Sequence, residues 1–200
     1  MTTQFGLVRH ATCAQMDEVL FGRHVDAPLD ERGVRQAALL ADRFARGAIE
    51  PLIYASPRRR TCETAAAIAT RTGADVRVCA ELDEIDFGRW AGRSFIGLNG
   101  DAEWLSWNEE RSRASTPAGE TIASVQQRIV GLLCGIDAMR PQSAVIIVTH
   151  SEIIRSLLLY GLNVSPDLYD RLTIDPASIT TVELDEAHFR AIAVNERLAS

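Results

Sequence analysis

The 200-residue sequence contains no lysine: all 21 of its basic residues are arginine. Any anion site must therefore be built from planar guanidinium forks, which match phosphate and carboxylate oxygens. Aromatic residues are sparse, at 6%. Four cysteines, Cys13, Cys62, Cys79 and Cys134, are scattered without a Cys-x-x-Cys pair. That spacing argues against a disulfide framework or a zinc site and for reduced thiols. Long apolar runs are missing as well. Residues 144–148 and 157–160 are apolar but far too short to cross a bilayer. Nor does Met1-Thr2-Thr3-Gln4-Phe5 open a basic segment and long apolar stretch of the secretory kind. These absences predict a cytoplasmic protein with no membrane partner. Acidic residues outnumber basic ones 27 to 21, a formal charge of −6, which argues against a nucleic-acid partner. A hydrophobic content of 46% beside 24% charged residues describes a globular chain long enough to bury a core as one domain.

What is present alternates strand-like and helix-like segments. Residues 5–8 form a short apolar run that ends at Arg9-His10. Asp30 is placed to cap a helix, with Val34, Ala37, Ala38, Ala41, Phe44 and Ala45 on one face and Gly47 as its stop. Leu52-Ile53-Tyr54-Ala55 reads as a buried strand, and Ser56-Pro57 as a cap and first helical residue. The Ala-rich helix that follows runs to Thr70 and is stopped by Gly73. Residues 76–80 make a third strand, and residues 83–118 are loop-rich with a helix near 101–111. Ile122, Val125, Ile129, Leu132 and Leu133 mark an amphipathic helix. Residues 144–148 form the clearest buried strand and lead into a helix over 151–160. Residues 178–184 and 189–194 read as a hairpin around Asp185-Glu186-Ala187. The pattern predicts an α/β fold: a three-layer sandwich with a mostly parallel central sheet, helices on both faces and an antiparallel C-terminal hairpin. It predicts one domain over 1–200, with an insertion at about 83–118 covering a site. The hairpin offers an edge strand to a homodimer.

Only four histidines occur, His10, His24, His150 and His188. His10 and His150 stand just past the ends of strands, where ligands bind in open α/β sheets. Arg9 adjoins the first, and Ser56-Pro57-Arg58-Arg59-Arg60 also lies just beyond a strand. Three strand ends thus bring two imidazoles and several guanidiniums to one edge, a pocket for a dianion with a nucleophile in it. Each piece alone has a plainer meaning. The Arg-His pair recurs as Arg23-His24 with no strand before it, an arginine triplet suits a solvated face, and the acids of residues 82–86 suit a surface. It is their shared placement that points to chemistry.

The chain resembles the histidine phosphatase superfamily, the group that includes the cofactor-dependent phosphoglycerate mutases. Leu7-Val8-Arg9-His10-Ala11-Thr12 is similar to its N-terminal Arg-His signature, and residues 22–29 with Gly33 and Gln36-Ala37 to the stretch after it. Residues 56–65 resemble the second-arginine motif, with Arg60 in register as that arginine. Residues 82–92 resemble the acid motif, with Glu84 as proton donor. Pro117-Ala118-Gly119-Glu120-Thr121 resembles a Pro-Gly-Gly-Glu-Ser element, and residues 148–155 the second-histidine motif around His150. The matches run in the family's order from residue 5 to about 160. Ala11-Thr12, Ala91 and Ser151 depart from the family's usual residues; none removes a core catalytic side chain, and all bear on the leaving group.

The resemblance implies a histidine acid phosphatase-type phosphomonoesterase that is metal-independent, needs no cofactor and acts on a small phosphorylated metabolite through a phosphohistidine. It implies catalytic roles for Arg9, His10, Arg60, Glu84 and His150, and substrate contacts at Arg9, Thr12, Gly22, Arg60, His150 and Ser151. The chemistry is coherent. Two arginines spread the charge of a phosphate dianion, and their field keeps His10 neutral and nucleophilic. Glu84 protonates the leaving alkoxide and then deprotonates water. The alternatives are a phosphoglycerate mutase-type phosphotransferase, a catalytically silent phosphate-ligand binding protein, and a protein phosphohistidine phosphatase. Trp90, Trp104 and Trp107 either help cover a small-molecule pocket or pack the insertion onto the core.

Overall fold

Six strands form one sheet in a computed structural model, which describes residues 3–47, 50–139, 144–184 and 188–198. The strands are β1 (Thr3–Arg9), β2 (Leu52–Ala55), β3 (Val76–Val78), β4 (Val145–Thr149), β5 (Ile179–Leu184) and β6 (Phe189–Glu196), in the order β3-β2-β4-β1-β5-β6. β3, β2, β4 and β1 run parallel, β5 pairs antiparallel with β1, and β6 antiparallel with β5. This is the mostly parallel sheet with an antiparallel C-terminal hairpin read from the sequence. The hairpin's Asp185-Glu186-Ala187 turn lies outside the described residues.

Alternation along the strands makes two cores. Val8, Ile53, Ala55, Ile146 and Val148 face α1 (Glu31–Phe44) and α2 (Arg59–Thr72). Phe5, Leu7, Tyr54, Val145 and Ile147 pack on the other face in the cluster that includes α5 (Ile122–Ala138) and α6 (Ser151–Gly161). Between β3 and α5 the chain forms the short helices α3 (Phe95–Leu98) and α4 (Ala102–Glu109). Asp101 caps α4 by accepting from Glu103 and Trp104 N–H groups. Among the described residues no helix is long and apolar enough to cross a membrane.

Local chemistry accounts for most boundaries. Asp30 caps α1, its carboxylate accepting from Gly33 N–H at 2.6 Å. The buried face of α1 differs from the expected one. Gly33, Ala37, Leu40 and Ala41 point inward, whereas Val34 is 58% exposed and Ala38 is exposed. Gly33 explains the rotation: a Cβ there would lie 2.0 Å from the Thr12 carbonyl oxygen, so the helix seats on that loop through a bare backbone. The helix also stops at Phe44, before Gly47. On the same side of the sheet, α2 starts at Arg59, with Arg58 in the cap position. Ser56, expected as that cap, has its hydroxyl engaged elsewhere.

Candidate active site

Sheet register builds the site. In the parallel pair β1–β4, Arg9 lies opposite Thr149, so His10 and His150 emerge side by side. His10 N–H donates to the Thr149 carbonyl at 2.9 Å. In the pair β2–β4, Ala55 lies opposite Val148, so Ser56 emerges at the same edge and donates its N–H to the Val148 carbonyl at 3.0 Å. His150 occupies the extended cap position of α6.

The two imidazole rings are edge to face, with centroids 5.4 Å apart. Both are buried. His10 Nδ1 is 2.8 Å from the Ala11 carbonyl oxygen. A carbonyl only accepts, so Nδ1 carries the hydrogen and Nε2 keeps its lone pair. Burial, then the charges of Arg60 and Arg9, hold the His10 pKa well below its ordinary value. His150 is lowered by burial, then by Arg60 and His10. Both rings are thus neutral near pH 7.

Arg60, 1% exposed, reaches in from the first turn of α2. Its Nη2 donates to the Gly22 carbonyl at 3.0 Å and to His150 Nδ1 at 3.1 Å, and its Nη1 to the Val25 carbonyl at 3.2 Å. Gly22 takes this position with a φ of +56°, where a side chain would be strained and would press on Phe87. Arg9 Nη1 donates to the Ile174 carbonyl at 2.6 Å. The Nε groups of both arginines are buried without a protein acceptor, so each retains donor capacity.

Glu84 follows a turn of 3₁₀ helix at Ala80–Leu82, beyond β3. Its buried carboxyl is pushed up to about 7, first by burial and then by the negative charge of Glu152. Oε2 sits 3.7 Å from His150 Nδ1. The backbone of this loop is gripped from two sides. Arg23 Nε and Arg128 Nη2 donate to the Glu84 carbonyl at 2.6 and 3.3 Å. Glu120 pairs with both arginines and accepts from Asp86 N–H at 2.6 Å. The Gly119-Glu120 element therefore serves the acid loop from a distance.

These groups border a cavity of about 450 Å³. Arg9, His10, Gly22, Arg60, Glu84 and Ser151 line it. His150 stands behind that lining, fully buried against Arg60. Thr12, expected at the substrate, is placed elsewhere. Its hydroxyl donates to Asp30 at 2.8 Å and its N–H to Gln36 at 2.9 Å, and it borders a separate groove. The opposite wall comes from residues 83–118, α6 and the 3₁₀ segment Pro166–Arg171. Phe87, Phe95 and Trp104 form its apolar part, and Asn108, Arg111, Glu152, Arg155 and Tyr169 its polar part. Glu152 pairs with Arg111 and, at 2.7 Å, with Arg155. The Arg111 guanidinium lies 3.3 Å over the Tyr169 ring. The tryptophans divide the work: Trp104 lines the cavity, while Trp90 and Trp107 are wholly buried beneath it.

Sequence reasoning missed several contributors. Ser56 is a site residue: its hydroxyl is 2.8 Å from His150 Nε2. Its position one residue past β2, level with His150 past β4, was the available signal. Arg23, Asp83 and Glu120 lie inside the family-like stretches without a role attached to them, and Arg128 carried no signal, because inward and outward charges look the same in sequence. Arg58 is drawn inward to Asp83 at 3.0 Å, whereas Arg59 pairs with Glu63 on the surface. Among the described residues no cluster of three or more His, Cys, Asp or Glu side chains is disposed to hold a metal ion.

Known proteins resemble the chain over most of its length. The model of the histidine phosphatase superfamily, branch 1, matches residues 5–197. The chain is 30% identical to phosphoserine phosphatase 1 of Hydrogenobacter thermophilus over 182 residues, 90% of this chain and 86% of that one. Among solved structures, a mycobacterial glucosyl-3-phosphoglycerate phosphatase superposes with a TM-score of 0.86 at 25% identity, covering 98% of this chain and 100% of that chain. Phosphoserine phosphatase from Entamoeba histolytica, in complex with 3-phosphoglyceric acid, superposes with a TM-score of 0.84 at 26% identity, covering 97% of each chain.

Proposed function

This chain belongs to the histidine phosphatase superfamily, branch 1, and on that premise we propose that it is a metal-independent phosphomonoesterase that hydrolyses a small phosphorylated metabolite through a phosphohistidine at His10. Phosphatase-named relatives that match nearly the whole chain support the reaction class. The small phosphorylated compounds in the relatives' names support the substrate class. Residues 1–200 act as one domain in this reading, with 83–118 as the cover over the leaving group.

One observation carries the reading: an unprotonated His10 Nε2 and a Glu84 carboxyl pushed up to about 7 border the same cavity as the buried Arg60 and the half-buried Arg9. Arg9 and Arg60 take the phosphoryl oxygens by charge-assisted hydrogen bonds, and the N-terminus of α6 at Ser151 adds backbone donors. His10 Nε2 attacks phosphorus as the bond to the leaving oxygen breaks, and Glu84 delivers its proton to that oxygen. The Glu84 carboxylate then takes a proton from the water that attacks the phosphorus of phospho-His10. This releases inorganic phosphate and restores both groups. Guanidinium charge does the work that a divalent cation does in other phosphoryl-transfer sites.

Rapid quench of the enzyme with a phosphomonoester, followed by peptide mass spectrometry, is expected to find phosphate on the His10 peptide. Phosphate trapped on another residue overturns the assignment. Activity is expected to survive a metal chelator, and complete loss there overturns metal independence. Phosphate release without isomerisation of a phosphoglycerate separates this reading from a mutase.

A further inference from the structure

The buried hydrogen bonds behind the cavity settle a proton position that the proposed reaction needs. Ser56 Oγ lies 2.8 Å from His150 Nε2 and 3.4 Å from Asp83 Oδ1, and Arg58 N–H approaches the same oxygen at 3.4 Å. Ser56 and His150 are completely buried, and Asp83 is 6% exposed. A hydroxyl has one proton and two lone pairs. Asp83 accepts only, being drawn toward Arg58 at 3.0 Å and Arg23 at 3.7 Å, so the Ser56 proton points to Asp83. The Ser56 lone pairs then receive Arg58 N–H and His150 Nε2–H.

The other side of the ring gives the same answer independently. His150 Nδ1 lies 3.1 Å from Arg60 Nη2, a group that can only donate. A hydrogen on Nδ1 would oppose it. We propose that Asp83 is a positioning residue for this reaction: acting through the Ser56 hydroxyl, it fixes His150 as the Nε2–H tautomer and so turns the Nδ1 lone pair to Arg60 and Glu84. Nδ1 then holds the Arg60 guanidinium against the cavity floor, sharing it with the Gly22 carbonyl. Asp83 is itself held in place, because Thr149 Oγ1 donates to the preceding Leu82 carbonyl at 2.7 Å and ties the loop to the end of β4. The catalytic consequence rests on the phosphomonoesterase reading; the tautomer does not.

The test is a long-range proton–nitrogen NMR spectrum of the full-length labelled protein, with the His150 ring assigned by comparison with His150→Gln. Wild type is expected to show a protonated Nε2 and a bare Nδ1. Ser56→Ala is expected to add a population protonated at Nδ1 and to lower kcat by roughly tenfold or more, with a smaller change in KM. Asp83→Asn, which keeps the size of the side chain, is expected to move both readouts in the same direction. It serves alone if Ser56→Ala does not fold. A wild-type ring protonated at Nδ1 overturns the inference, as does a variant that keeps the Nε2–H ring intact whatever its kcat. A shifted tautomer with unchanged kcat overturns it too. Loss of the phosphatase reading has a separate signature: His10→Ala that still releases phosphate, with the wild-type His150 spectrum as expected.

Discussion

The floor of the cavity and its far wall are made by different means. Arg9 and His10 line the floor, with Ser56 and His150 directly behind them; each stands within a residue of a strand end, and parallel hydrogen bonding sets their spacing. The wall is made of side chains from residues 87–111, the start of α6 and a 3₁₀ segment at Pro166–Arg171, joined by the Arg111–Glu152–Arg155 ladder over Tyr169. Backbone geometry leaves little room for variation on the floor. Side-chain pairing leaves much more on the wall. The floor therefore suits a reaction step common to every substrate, and the wall suits a choice among leaving groups.

Substitutions on the floor are expected to damage all substrates alike, beginning with His10, the proposed nucleophile. His10→Ala is expected to lower phosphate release by on the order of 10³-fold or more for every phosphomonoester. A loss confined to some substrates would break the comparison.

Glu84 stands where floor meets wall, and its effect should depend on the leaving group. Glu84→Gln is expected to cost about 10²-fold with alkyl phosphates and far less with p-nitrophenyl phosphate, whose leaving oxygen needs little help. Equal losses would remove Glu84 as the acid. The same variant bears on stability. The Glu84 pKa is raised in the folded state, so its contribution is fully present below the ordinary carboxyl range and is lost as pH rises through about 7. Denaturation curves between pH 4 and 8 should show roughly 3 kcal/mol less of this decline in Glu84→Gln than in wild type.

Glu152 sharpens the comparison from the wall side. Its charge helps raise Glu84, so Glu152→Gln is expected to lower the Glu84 pKa. The alkaline limb of kcat for an alkyl phosphate should move to lower pH, and an unmoved limb would sever wall from floor. The smallest effect lies outside both regions. Asp30→Ala removes the α1 cap and the Thr12 partner and is expected to cost about 1 kcal/mol in thermal denaturation while leaving kcat unchanged.

The legibility of these features followed their physics. The Asp30 cap, the strands ending at Arg9 and Ala55, and the helix opening at Ser151 rest on local chemistry, and each was readable. The inward face of α1 was not, because it depends on Gly33 meeting the Thr12 carbonyl across the fold. Ser56 looked like a helix cap because its hydroxyl's partner, His150, is 94 residues away. Arg111 was read only as the end of a helix, and nothing in the chain order announces Tyr169 beneath it.

Taken by itself, the order of residues determined the α/β alternation, the all-arginine cation set, and the two histidines that follow strands, because period and strand-end position are properties of short segments. Tertiary structure alone decided that His10 lines the cavity while His150 lies behind it, which arginines face inward, and how high the Glu84 pKa rises. Those outcomes depend on burial and on charges contributed by distant elements. Desolvation and Coulomb interactions act through space, without regard to separation along the chain.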